Sequence, residues 1–474
     1  MTQTKSFGEM NFGNAQLGDK RRTERLVKLV DQLCVHLGGS LPQKFRSPAD
    51  LQAFYRLMDK DDVTHEAVLK AHREATFERI QEMDSPVLIL HDTTELDYTT
   101  HKSLSGLGQI GCGTRRGYLA HNSLAVDPEN REVLGLVNQV LHHRQTVSKS
   151  ETRAQRSKRD TRESLLWLKG VQALPRNRQL IDVCDRGADT TEFIEHEVSG
   201  GRRFVIRSSH NRCIVLGHDD KCACEMVKLH EHMKTLPAVG TWSLEVTSRV
   251  ELRRGRGTEK KKVVTRHARQ ANMAVSYAAV QITPSKKSQS AMKVWAIRVW
   301  EIDPPEGQER LEWILLTNEP VTSFAAAYRV VGWYECRWII EEYHKGMKTG
   351  CRIESVQFTS EERLQPAIAV LSVVTLTLLQ LREAARRPDA KTRKANTVVG
   401  KSCVEMLSLW RHKKINQDWT VHEFYYALAR LGGHQNRKHD HPPGWQVIWE
   451  GWKELLPMTI GYDTAKSKYY KKCG

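Results

Sequence analysis

The sequence predicts a mixed α/β protein, with a strand-and-helix core between two helical segments. Three observations predict it. The short apolar runs "VLIL" and "LIDVC" have the length and density of buried strands. "RQLIDVCDRGADTTEFIEHEVSGGRRFVIRSSH" reads strand, helix, strand, the order that builds a sheet flanked by helices. Residues 1 to about 75 look helical, with apolar residues repeating at helical spacing, and a basic linker leads to a C-terminal helical segment.

The bulk numbers narrow the function. At 474 residues with 39% apolar content, the chain is long enough for more than one domain and a substantial core. Lys and Arg number 73 against 56 acids, and a net charge of +17 favours polyanionic partners. The start, "MTQTKSFGEMNFGNAQLGDKRR", has no apolar signal region. The most apolar run, from Leu364, contains Gln365, Pro366, Thr375, Thr377 and Gln380, so a buried helix is expected rather than a membrane span. Ten scattered cysteines suit a reduced, cytoplasmic protein.

In chain order, "LGDKRRTERLVKLVDQLCVHLGG" predicts a helix with Asp19 as N-cap and Leu26, Leu29, Val30, Leu33 and Leu37 on one face. Lys20, Arg21, Arg22 and Arg25 crowd its first turns, where the helix dipole favours acids. Such misplaced cations point to an external anion such as nucleic-acid phosphate; a solvated charged face is the alternative. "DLQAFYRLMDK" reads as a further short helix. "SPVLILHDTTELDY" opens the strands, and "YLAHNSLAVDPENREVLGLVNQVLHHR" reads as two strands joined at Asp127 to Asn130. Residues 208–310 hold successive strand patterns broken by basic turns, a β-rich insertion. "LEWILLTNEP" is one more strand. Helices dominate from Ser323 to about Arg386, and a basic linker leads to a helical C-terminal segment.

Asp92 and Asp185 follow predicted core strands, where α/β sheets place function; a turn or cap aspartate is the alternative for each. Asp182 falls on the opposite face of its strand. The stretch "YECRWIIEEYHKGMK" is richer. At ~100° per residue, Tyr334, Arg337, Glu341 and Lys348 share one helical stripe, Lys345 lies at its margin and Glu342 falls off it. That stripe would present a phenol, a guanidinium, a carboxylate and an ammonium together.

These residues resemble the acidic triad and Tyr-Arg-Glu-Lys signature of bacterial cut-and-paste DDE transposases of the Tn-five type. The resemblance extends through "LGDKRRTERLV", "DTTELDY", "CDRGAD", "EWILLTNEPV" and "RWIIEEYHKGMKTG", in the same order along the chain. It implies a ribonuclease-H-like catalytic core at 76–385 with the insertion at 208–310. It also implies a DNA-end-binding domain at 1–75 and a dimerisation domain at 386–474. Asp92, Asp185 and Glu341 would hold two Mg²⁺ ions, with Mn²⁺ able to substitute. "CDRGAD" carries Gly187 where close relatives have Glu, which leaves Asp189 as an alternative to Asp185.

The resemblance further implies cleavage of transposon ends through a DNA hairpin and joining of the 3′-OH ends to target DNA. Tyr334, Arg337 and Arg207 would hold phosphates, and Lys348 the nearby backbone. Trp313 would stack a flipped base beside Trp338, while Arg21, Arg22 and Arg25 would recognise the ends. The implied partners are double-stranded DNA and a second copy of the chain in the synaptic complex, in a bacterial, nucleoid-associated setting without a membrane. Cys213, Cys222, Cys224, His230 and His232 could bind zinc, but their spacing is unusual and an irregular loop is the preferred reading. A nuclease that cuts without joining, and a non-enzymatic end binder, are the competing readings.

Overall fold

The computed structural model describes residues 5–470 apart from 36–38, 46, 145–146, 149, 217–225, 255–259, 284–290, 417, 438–439 and 441. The fold is mixed α/β, as the sequence predicts. The chain divides into two compact units, Met1–Leu174 with Trp338–Gly474, and Pro175–Arg337.

The first unit begins with helices. Ser6 caps Phe7–Phe12 by accepting the Glu9 N–H. Lys20–Val35 buries Leu26, Leu29, Val30 and Leu33 along one stripe, and the Asp19 carboxylate accepts the Arg21 N–H at its start. Pro48–Met58 follows, and Thr64 caps the long helix His65–Gln81. That helix lies against the strand Val133–His142. Gly135 permits the approach: a Cβ there would stand 2.1 Å from the Thr76 hydroxyl oxygen.

Three antiparallel strands form the centre of this unit: Val87–Asp97, Arg116–Val126 and Val133–His142. The pairing of the first two runs from Leu88 opposite Val126 to Asp97 opposite Gly117. Asp92 therefore sits mid-strand, opposite Asn122, and not at a strand end. The apolar run stops at Leu90, but the backbone ladder continues for another seven residues, so side-chain polarity understated the strand.

The apolar helical region contains two helices, Glu361–Val374 and Leu376–Arg386, meeting at Thr375. By length and composition it could cross a membrane, yet 83% of its apolar window is buried inside the protein. Arg382 is fully buried against Glu383 and Glu342. The C-terminal helices Lys401–His412, Val421–Leu431 and Trp445–Tyr470 pack on one another. Thr420 and Glu423 close the start of the middle one with a reciprocal capping box.

In the second unit, parallel strands Leu180–Cys184 and Arg203–Arg207 are joined by the helix Thr191–Ser199. Glu312–Thr317 pairs with Arg203–Arg207, then Met292–Glu301, Arg269–Ile282 and Gly240–Val246 follow by antiparallel pairing. The strands Arg249–Arg254 and Lys260–Arg266 form a separate hairpin. The helix Phe324–Glu335 carries Trp333, with the Arg203 and Arg329 guanidiniums over its ring.

Candidate active site

The first unit holds Asp92 and Glu341. The helix Trp338–Lys345 packs against the strand bearing Asp92. Asp92 Oδ1 accepts the Thr93 N–H at 2.8 Å, and Oδ2 faces His344 Nδ1 at 3.9 Å. Glu341 is half-buried and precedes His344 by three residues, so it shares the side of the helix turned toward Asp92. Three histidines gather here. His121 bonds Thr93 Oγ1 at 2.9 Å and stacks on His91 at 5.8 Å. Burial holds the His121 imidazole well below its ordinary pKa, with His91 and His344 adding to the effect. A Cβ on Gly170 would come within 2.6 Å of His121 Nε2, so the neighbouring helix also closes on this cluster.

Each candidate acid has a neighbour with a structural task. Glu342 pairs with buried Arg382. Asp182 is buried against Arg202 at 2.7 Å. Asp189 is also buried: it pairs with Arg212 and accepts the Ser209 and His210 backbone N–H groups at 2.6 and 2.9 Å. Asp185 is half-exposed and accepts a local bond from the Gly187 N–H at 2.9 Å. Of the two aspartates in "CDRGAD", Asp189 is the fastener of the loop that follows.

The second unit gathers cations around Tyr334. Burial pushes the Tyr334 phenol upward, while Arg337 and Arg207 pull it the other way and Asp185 adds a raising contribution. Arg207 loses some basicity to burial; Tyr334 opposes that, and Arg186 and Arg337 reinforce it. The Arg337 guanidinium lies 6.0 Å from the Tyr334 ring centroid. Arg186 is a member that the sequence reading missed. Its only local signal is its place beside Asp185. Arg207 and Arg337 thus both act on the Tyr334 phenol, with Arg186 acting on Arg207.

The predicted continuous stripe is corrected. The helix Phe324–Glu335 ends before Arg337, whose N–H bonds Tyr334 O at 3.1 Å in a tighter turn. Trp338–Lys345 is a new helix, and Gly346–Gly350 is a π-helical turn that contains Lys348. No glycine or proline marks the break; tertiary packing overrides a locally helical sequence. The unit boundary also falls inside the motif, with Tyr334 and Arg337 on one side and Glu341 and Lys348 on the other.

Trp313 is half-buried on Glu312–Thr317, and its indole N–H has no acceptor among the described residues. Trp338 is 56% exposed. Of the N-terminal cations, Arg21 and Arg25 are exposed on Lys20–Val35. Arg22 turns inward, donating to Leu17 O at 2.9 Å and Asp62 Oδ2 at 2.6 Å, because it closes the turn before its helix. For the zinc alternative, Cys222 and Cys224 lie outside the described residues, while His230 Nε2 bonds Ser208 Oγ at 2.9 Å. Asp92, Asp185 and Glu341 are oxygen donors of the kind that suits a hard divalent cation. Among the described residues, no group of three or more His, Cys, Asp or Glu side chains is close enough to hold a metal.

Residues 4–63 match the family model described as transposase DNA-binding. The matched segment contains the helix Lys20–Val35 and its exposed cations. The match supports a DNA-binding transposase, a DNA-processing enzyme with DNA as its partner.

Proposed function

We propose, from a DNA-binding segment of transposase type at the head of the chain, that this protein is a cut-and-paste DDE transposase. It would bind transposon ends, cleave them through a hairpin and join the freed 3′-OH ends to target DNA. The observation that carries this reading is the pairing of that segment with Glu341 on a helix packed against the Asp92 strand. Asp92, Asp185 and Glu341 would hold Mg²⁺, which supplies charge neutralisation and a more acidic water for phosphoryl transfer. Arg207, Arg337 and Tyr334 grip the phosphates flanking the scissile bond, and Lys348 holds the backbone nearby. Trp313 stacks a base displaced when the end folds into a hairpin, and Trp338 is a further candidate to hold that base. Arg21 and Arg25 contact the end phosphates. Two copies, joined through residues 386–474, act on paired ends in the bacterial cytoplasm.

The test uses labelled inverted repeats flanking the gene, purified protein and Mg²⁺ or Mn²⁺, read on denaturing gels. Hairpins that later open, followed by joined target products, are the expected result. Glu341→Ala should abolish cleavage and keep end binding. Cleavage by that variant at the wild-type rate would remove Glu341 from the site. Cleavage without joining would leave a nuclease, and binding without cleavage a repressor. Gel filtration with and without end DNA tests the dimer.

A further inference from the structure

We infer that His344 is a positioning residue that steers the Asp92 carboxylate with an Nδ1–H, fixed there by a buried amide chain that begins at His65. The inference rests on the reading of Asp92 as a catalytic acid. Four contacts build the chain. His65 Nε2 meets Gln139 Oε1 at 3.0 Å. Gln139 Nε2 donates to Asn122 Oδ1 at 2.7 Å and to Ser372 Oγ at 2.9 Å. Asn122 Nδ2 lies 3.0 Å from His344 Nε2. His344 Nδ1 then faces Asp92 Oδ2 at 3.9 Å.

The chain has one polarity. A carboxamide has a donor end and an acceptor end, so each link dictates the next. The backbone supplies the anchor: Asn122 Nδ2 also lies 3.3 Å from the Ala120 carbonyl, which can only accept. With that nitrogen donating, His344 Nε2 must accept, and a neutral imidazole then carries its proton on Nδ1, toward Asp92. Asn122 is 0%, Gln139 4% and His344 7% exposed, so water has little access to reverse these roles. At 3.9 Å the last contact is a charge–dipole attraction, longer than a hydrogen bond. Catalytic contacts of this kind commonly tighten when substrate loads. With Thr93 N–H on Oδ1, both Asp92 oxygens are oriented.

The origin of the chain gives it meaning. His65 opens the helix that follows directly on the matched segment 4–63. The helix that follows that segment therefore connects, through three side chains, to the carboxylate assigned to the chemistry.

The experiment compares the full-length wild type with Asp92→Ala, His344→Phe, His344→Asn and Asn122→Leu. It measures single-turnover cleavage of end DNA, equilibrium end binding, and ¹⁵N-histidine NMR with His344 assigned by its missing signal in His344→Asn. The Asn amide nitrogen can stand in for Nδ1–H; Phe cannot. His344→Phe and Asn122→Leu should slow cleavage about 10–100-fold with end affinity unchanged, the usual cost of losing a partner that orients a ligand. His344→Asn should recover most of the rate, and the wild-type His344 ring should be neutral with Nδ1 protonated. Wild-type rates in Asn122→Leu, no advantage of Asn over Phe, or a ring protonated only on Nε2 would overturn the inference. Full-rate cleavage by Asp92→Ala would instead overturn the catalytic reading beneath it.

Discussion

The surroundings of Asp92 and those of Tyr334 are both polar and partly buried, but they are built from different chemistry. Around Asp92 stand buried imidazoles and carboxamides: His344, Asn122 and Gln139 linked in turn by hydrogen bonds, and His121 bonded to Thr93. At Tyr334 stand the guanidiniums of Arg207 and Arg337, with Arg186 near Arg207, half-buried or exposed. Neutral dipoles in a dry interior can hold one carboxylate in one orientation without neutralising its charge. Clustered guanidiniums repel each other, and that repulsion is relieved when an anion arrives. On the proposed function, the first region aims a group the protein owns and the second receives a group it does not.

The comparison can be broken most forcefully at the two aspartates of "CDRGAD", one that fastens a loop and one proposed for the chemistry. Arg212→Met leaves Asp189 buried without its ion pair and should cost about 3–5 kcal/mol in chemical denaturation. Asp185→Asn should cost no more than about 1 kcal/mol, since it loses a local cap. Equal costs would erase the distinction between the two aspartates.

A second test uses pH. His72 donates through Nδ1 to Asn11 Oδ1 at 2.8 Å and accepts the Leu136 N–H on Nε2 at 2.9 Å, so both nitrogens are engaged by a neutral ring. Burial, with Arg79 nearby, lowers its pKa from 6.5 to about 3. The unfolded chain therefore binds the extra proton first. This contribution to stability is fully present above pH 6.5 and falls by up to about 1.4 kcal/mol per pH unit between 6.5 and 3. Denaturation midpoints across that window should show the slope, and His72→Gln should flatten it.

Smaller effects sharpen the cationic side. Arg337→Gln should weaken DNA binding roughly tenfold at low salt and reduce the log–log salt slope by about one. A change in affinity without a change in slope would mean that Arg337 does not face phosphate. Smallest is the contrast on Lys20–Val35. Arg25→Gln should lower the salt slope of end binding, whereas Arg22→Gln should leave it unchanged and cost at most about 1 kcal/mol of stability.

Much of this was legible in the sequence because it depended on local pattern. The apolar stripe of Lys20–Val35, the turn at Asp127 and the strand–helix–strand around Asp185 all follow from spacing within a few residues. Preference for Glu341 over Glu342 came from a continuous helical stripe that the break before Arg337 interrupts; Glu342 pairs with Arg382. What was not legible depends on partners distant in the chain. Nothing near Arg22 announces Asp62, and nothing near His344 announces Asn122, which lies 222 residues away. The helix break before Arg337 has no breaker residue, and the strand through Asp92 continues over polar residues because its partner strand supplies the ladder.

The π turn at Gly346–Gly350 has an evolutionary reading. A π turn is what remains when an α-helix accepts one extra residue without shifting the elements on either side. Removing a single residue within it would restore an ordinary helical turn, leaving the elements on either side in place but re-aiming the residues of the turn itself, Lys348 among them. Lys348 keeps its direction only while that surplus residue is retained. Chains related by descent should therefore tolerate a change of residue type in this turn far better than a change in its length.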